Sequence, residues 1–84
     1  MIEKPVTIQA NMEKEARPIA HLVQEASQYK SSVYFELDNK RINAKSIMGM
    51  MSLELGKGTR LLVVADGVDE ENAVKGVEAF LTAQ

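Results

Sequence analysis

The sequence predicts an α+β domain: an antiparallel four-stranded sheet, open on one side, with three helices on the other. Three observations carry this. Apolar residues alternate with polar ones in the stretches that begin at Met1 and Val33, the period of a half-buried strand, and Thr59 to Ala65 is strongly β-branched and aliphatic. Two longer stretches carry apolar residues at helical spacing, and a short apolar run follows Ser46. These units follow one another as strand, helix, strand, strand, helix, strand, helix, which makes a two-layer domain with one sheet face left to water. The 84 residues predict one domain, 1–84.

The first strand spans Met1 to Ala10, with Val6, Ile8 and Ala10 on one face and Pro5, Thr7 and Gln9 on the other. Pro5 has no N–H for a ladder, so this strand belongs at a sheet edge. Asn11 to Glu15 is a polar connection. Pro18 occupies the first turn of a helix, where a missing N–H costs little. Ile19, Leu22, Val23 and Ala26 form its apolar stripe; Arg17, His21, Gln24, Glu25 and Gln28 form its wet side. Tyr29 to Ser32 ends it. Val33, Phe35 and Leu37 alternate with Tyr34 and Glu36 as the second strand. Asp38 and Asn39 both tolerate positive φ and make a tight turn. Arg41 to Ala44 returns as the third strand.

Ser46 then caps a short helix, its hydroxyl accepting from a backbone N–H two or three residues on. That helix carries Ile47, Met48, Met50, Met51, Leu53 and Leu55 and is expected to end before Gly56 as its C′ residue. A helix this short buries one face only, so some of these side chains reach solvent. Methionine suits an adaptable docking surface because its thioether repacks easily. A phosphate on Ser46 would put about −2 charge at the positive end of the helix. A plain N-cap before a core helix is the simpler reading of the same residues. Gly56-Lys57-Gly58 is a loop, Thr59 to Ala65 the fourth strand, and Asp66-Gly67 a turn. Asp69 is expected to cap the last helix, with Glu70 and Glu71 complementing its dipole. Ala73, Val77, Phe80 and Leu81 face the sheet. Tyr34, Leu62 and Val64 fall on the open side of the sheet; if that face is uncovered they form an apolar patch, read either as cross-strand packing or as a dimer or second partner contact.

Composition excludes several functions. Net charge is −2, from 10 basic and 12 acidic residues, which argues against direct nucleic-acid binding, since that needs a basic excess. With no cysteine and one histidine, neither a disulfide nor a thiolate or histidine metal cluster can form, and no cofactor site is expected. No apolar run approaches the roughly 20 residues of a membrane span, and no signal peptide is visible, so a cytoplasmic protein is expected.

With Ala16-Arg17-Pro18, Lys45-Ser46-Ile47-Met48-Gly49, Met51-Ser52-Leu53, Lys57-Gly58 and Gly67 in these places, the chain resembles the phosphocarrier HPr family of the bacterial sugar phosphotransferase system. The resemblance runs ungapped over essentially the whole sequence. It implies an open-faced β-sandwich with sheet order 1-4-2-3, which puts the Pro5 strand at an edge. Members of the family carry two phosphorylation sites. One is a histidine directly before Ala-Arg-Pro, which relays phosphate from a phosphoenolpyruvate-dependent enzyme to sugar transporters. The other is the serine of Lys-Ser-Ile-Met-Gly, modified by an HPr kinase/phosphorylase, after which the protein binds a LacI-type catabolite control protein and strengthens its hold on DNA.

This sequence keeps the second site and lacks the first, because Glu15 precedes Ala16. The relay needs an imidazole nitrogen, nucleophilic near neutral pH. Glu13 also replaces the small residue usual two positions earlier. Glu15 reads either as a capping acid at a helix N-terminus or as an imitation of phosphohistidine, a poor one because it carries one charge and not about two. His21 lies six positions from Glu15, about 9 Å along a helix, too far to act in the relay's place. Arg17 suits a phosphate or a partner carboxylate through its forked guanidinium. The role implied is that of the histidine-less catabolite-repression subfamily, often called Crh, which carries glutamine at this position. The expectation is a non-enzymatic corepressor switched at Ser46, with Arg17, Ile47, Met48 and Met51 as docking face and Ala20 and His21 bordering it. The alternative is a phosphocarrier with an altered or lost acceptor; a third reading is a decoy that binds phosphotransferase components without carrying phosphate. A monomer able to exchange its first strand into a homodimer is expected.

Overall fold

The computed structural model describes residues 1–9, 17–52 and 56–82; the side chains of Arg17 and Pro18 lie outside that description. The elements run β1 (Ile2–Thr7), α1 (Arg17–Ser27), β2 (Ser32–Leu37), β3 (Lys40–Asn43), α2 (Ile47–Met51), β4 (Arg60–Asp66) and α3 (Glu70–Thr82). The sheet order is β1-β4-β2-β3, every neighbouring pair antiparallel. Pro5 therefore sits on an edge strand, opposite Leu62, where its missing N–H disturbs no second neighbour. Asp38 and Asn39 make the β2–β3 turn with φ of 53° and 64°. Two consecutive left-handed residues match the twist of a two-residue hairpin.

The alternation seen in the sequence becomes register. Phe35 lies opposite Val63 and Ile42, and Val33 opposite Ala65. Val6, Ile8, Val33, Phe35, Leu61, Val63 and Ala65 are buried together with Ile19, Leu22 and Ala26 of α1, Met50 of α2, and Ala73, Val74, Val77 and Leu81 of α3. Phe80 is only partly buried against this core, while Val74 is buried in addition to the expected set. Ala10 lies outside the described residues. Beyond β1 the backbone continues its pairing: Ile8 N donates to Thr59 O, and Gln9 N donates to Leu81 O at the end of α3.

The open side of the sheet differs from expectation at its centre. Tyr34 and Leu62 are half-buried, but Val64 is 1% exposed. It sits in register between Glu3 and Tyr34. The Arg41 guanidinium lies 5.3 Å over the Tyr34 ring and also donates to Glu36. Val64 is packed between its cross-strand neighbours, so among the described residues no open apolar patch is centred on it.

Asp69 also takes an unexpected role. Its main-chain O accepts from Ala73 N, as at a helix start. Its carboxylate, however, reaches across to the end of α1. There it accepts from Lys30 N at 2.9 Å, from Ser31 N at 2.9 Å and from the Ser31 hydroxyl. Ser31 is buried, and Gly67 packs so closely on it that a Cβ there would lie 2.6 Å from Ser31 Cα. Only glycine fits that approach. The Ser31 hydroxyl, followed by the Lys30 amide, holds the Asp69 carboxyl well below its ordinary value of 3.8, at about 2. A carboxyl lowered by folding contributes stability above its unfolded value that disappears as pH falls through the folded one. The protein is therefore expected to lose stability between about pH 4 and pH 2. Asp69→Asn should be less stable at neutral pH and show a flatter dependence over that window, because an amide offers a donor where the site supplies donors. Urea unfolding at several pH values checks this; parallel curves for the two proteins would contradict it.

Candidate functional site

The geometry around Ser46 begins at Asn43. Its side-chain Oδ1 accepts from Lys45 N at 2.9 Å, and its backbone O accepts from Ser46 N at 3.0 Å. This Asx turn brings β3 to a halt and presents Ser46. Ser46 has extended backbone angles, φ −103° and ψ 111°, and its Oγ accepts from Gly49 N at 3.3 Å. The expected N-cap is present.

The helix it caps is shorter than expected. α2 ends at Met51, with Ser52 as C-cap in the right-handed region. Ser52 N and Ser52 Oγ both donate to Gly49 O, at 3.2 and 2.6 Å. That hydroxyl bond competes with the next helical turn, so Gly56 is not the C′ residue. Leu53 and Leu55, expected on the same helix, lie outside the described residues. Gly49 matters at this spot for a packing reason: a Cβ would lie 3.1 Å from Ile42 Cγ2 of β3. Its absence lets α2 rest on the sheet edge.

Met50 is the anchor, fully buried in the core. Ile47, Met48 and Met51 point the other way, at 39%, 83% and 55% exposure. Three large apolar side chains on a single turn of helix, all in solvent, are more than an isolated exposed residue requires.

Lys45 fixes this turn to the rest of the molecule. Its Nζ donates to Tyr29 O at 2.7 Å, at the C-terminal end of α1, where free carbonyls and the helix dipole favour a cation. Tyr29 in turn donates from its hydroxyl to Glu25 at 2.8 Å, a bond that raises the Tyr29 pKa. The Asp69 clasp holds the next two residues. A chain of contacts thus runs from α3 through the end of α1 to the residue before Ser46. Neither Lys45 nor Asp69 is visible as a positioning residue in the sequence, because their partners lie 16 and 38–39 positions away. Asn43 did carry a local signal, an Asx-turn residue just before a capping serine.

The other candidate residues fall as follows. α1 and α2 pack against one another. On α1, His21 is exposed and Ala20 half-buried, next to buried Ile19 and Leu22. Arg17 begins α1, but its side chain, like the whole of Glu15 and the Asn11 to Lys14 connection, lies outside the described residues. Among the described residues, no group of three or more His, Asp or Glu side chains could hold a metal ion. No helix among them is long and apolar enough to cross a membrane.

The family model described as the phosphotransferase-system HPr component phosphorylation site matches residues 2–83. The chain belongs to the HPr family. One relative within it is the HPr-like protein Crh of Halalkalibacterium halodurans, 42% identical over 81 residues, covering 96% of each chain. Among solved structures, the phosphocarrier protein HPr of Bacillus anthracis superposes with a TM-score of 0.89 at 38% identity, covering 95% of each chain. The crystal structure of Crh from Bacillus subtilis, a dimer with a swapped domain, has a TM-score of 0.78 at 39% identity, covering all of this chain and 97% of that one. The HPr fold, with its open-faced sheet in the order 1-4-2-3, is what this chain adopts. Relatives thus include both phosphocarriers and catabolite-repression proteins.

Proposed function

We propose that this single HPr-like domain is a regulator of carbon catabolite repression, phosphorylated on Ser46 by an HPr kinase/phosphorylase and then acting as corepressor of a LacI-type catabolite control protein in the cytoplasm. The observation that supports this best is the pairing, on one short turn, of a capped serine with three solvent-exposed apolar side chains. A relative named HPr-like protein Crh, alike over nearly its whole length, supports it further. Ser46 supplies the charge; Ile47, Met48 and Met51 supply apolar contact, with Arg17 as a basic group and Ala20 and His21 at the border. The reading needs no cofactor, metal, membrane or direct contact with DNA, and the protein is not an enzyme in it. The test is kinase labelling with ATP, mass spectrometry to locate the phosphate, and calorimetry of both forms with the repressor. Equal affinity for phosphorylated and unphosphorylated protein refutes the corepressor role. The second reading, a phosphocarrier with an altered acceptor, draws on the phosphocarrier relatives and is separated by supplying phosphoenolpyruvate in place of ATP.

The same domain is expected to form a homodimer by exchanging β1. In this reading β1 leaves one copy and restores the same register, Ile2↔Ala65 to Thr7↔Arg60, on another. Exchange restores the pairing of β1 on the other copy, so its equilibrium is governed by the connection that follows and by concentration. Sedimentation should show monomer at low concentration and dimer after storage at high concentration. Monomer under all conditions would remove the idea, and dimers that survive deletion of residues Met1 to Gln9 would place the contact elsewhere.

A further inference from the structure

We propose that α2 carries a second covalent switch, in which peroxide oxidises Met48 and Met51 to sulfoxides and so disables the docking face that phosphorylated Ser46 activates. The proposal rests on the docking role assigned above to that face. Three methionines lie within four consecutive residues, and the fold sorts them sharply. Met48 and Met51 are 83% and 55% exposed, while Met50 between them is fully buried. Met48 and Met51 are three positions apart, so they lie on the same side of the helix. Oxidation follows exposure, so a peroxide in solution meets two thioethers and is excluded from the third.

In each reaction a sulfur lone pair attacks one oxygen of hydrogen peroxide. An S–O bond forms as the O–O bond breaks. The sulfur gives up two electrons, and the departing oxygen takes a proton and leaves as water. Reduction by a methionine sulfoxide reductase returns the thioether and releases the oxygen as water, the two electrons coming from a dithiol that becomes a disulfide.

The structural consequence is asymmetric. Both side chains are already more than half exposed in the free protein, so a polar S=O there disturbs little packing. Met50, which holds α2 on the core, and the Ser46 cap are spared. In the complex the same S=O groups would be buried against an apolar partner surface, where a polar group without a hydrogen bond is costly. Phosphate on Ser46 turns docking on through charge, and oxygen on Met48 and Met51 turns it off through polarity, on the same turn of helix.

The test treats Ser46-phosphorylated protein with hydrogen peroxide and maps each methionine by peptide mass spectrometry. Met48 and Met51 should oxidise well before Met50, with the circular dichroism spectrum unchanged. Binding to the catabolite control repressor should then fall at least about tenfold, and a methionine sulfoxide reductase should restore it. Met1 is also exposed, so the double variant Met48→Leu, Met51→Leu is the control, read as a ratio: whatever affinity it has before treatment, peroxide should not change it. Oxidation of Met50 at the rate of its neighbours would overturn the proposal, as would undiminished binding by the oxidised protein or equal peroxide sensitivity of the double variant. Untreated phosphoprotein that fails to bind would refute the corepressor reading itself, and the switch with it.

Discussion

Ser46→Ala is expected to abolish both kinase labelling and repressor binding while leaving the fold intact. The Ser46 hydroxyl oxygen accepts a bond from Gly49 N at 3.3 Å, within its own helix. Losing a cap of this kind costs about 1 kcal/mol, and the Asn43 turn, the Lys45 anchor and Met50 all remain. The effect on binding is of a different size. A phosphate facing basic groups on the repressor would make two or three charge-assisted hydrogen bonds at roughly 1.5–3 kcal/mol each. Since about 1.4 kcal/mol is a factor of ten, phosphorylation should raise affinity at least about a hundredfold. Ser46→Asp should restore the cap but only part of the affinity, having one charge and a planar group. Met48→Ala should weaken binding without preventing labelling, because its side chain is almost wholly in solvent and supports nothing in the free protein. Calorimetry with the four proteins, phosphorylated where they can be, ranks them. Full affinity of Ser46→Ala would show that the apolar turn alone carries recognition.

What could be read from the sequence was set by local physics, and what could not was set by long-range pairing. Alternation located β2 to within a residue and β1 at its start, because a half-buried sheet leaves a period of two, but β1 ends at Thr7 and not at Ala10; β-branched content placed β4 to within a residue. Pro5 marked an edge and Asp38-Asn39 a hairpin because each restricts the backbone at its own position. Ser46 was legible as a cap for the same reason. The length of its helix was not: the apolar run through Leu55 looks continuous, yet Ser52 turns its hydroxyl back onto Gly49 O and closes the helix at Met51. Asp69 was placed correctly at the start of α3, but its carboxylate serves Lys30 and Ser31. Nothing at Asp69 itself encodes that partner, since the close Gly67–Ser31 approach that creates it exists only in the folded chain. Val64 fits the outward parity of β4 as expected, but its burial depends on neighbours from the two flanking strands, β1 and β2.

No phosphate from phosphoenolpyruvate is expected to appear on this protein in the presence of the sugar-system enzyme. The relay needs a neutral imidazole nitrogen as acceptor and a phosphoramidate that stays energy-rich. Glu15 offers a carboxylate, and the one imidazole, His21, lies on the exposed side of α1, beyond the first turn that Arg17 begins. Acid-labile phosphate on His21 would overturn this. Glu15→His should recover transfer, supplying the histidine that the resemblance implies before Ala16-Arg17-Pro18, but at a rate below that of a natural phosphocarrier. Two features of the sequence hold it back. The resemblance leads one to expect a small residue where Glu13 stands, so the expected cost is twofold: a bulkier side chain near the imidazole, and a charge that opposes an incoming phosphoryl donor at close range. The double variant Glu13→Ala, Glu15→His should therefore exceed Glu15→His alone, and the gap between them should shrink as ionic strength rises and screens the charge. Steady-state transfer from radiolabelled phosphoenolpyruvate at low and high salt separates the two causes. A gap unchanged by salt assigns the deficit to the shape of the connection, and a full rate for Glu15→His alone would show that the missing imidazole was the whole of the defect.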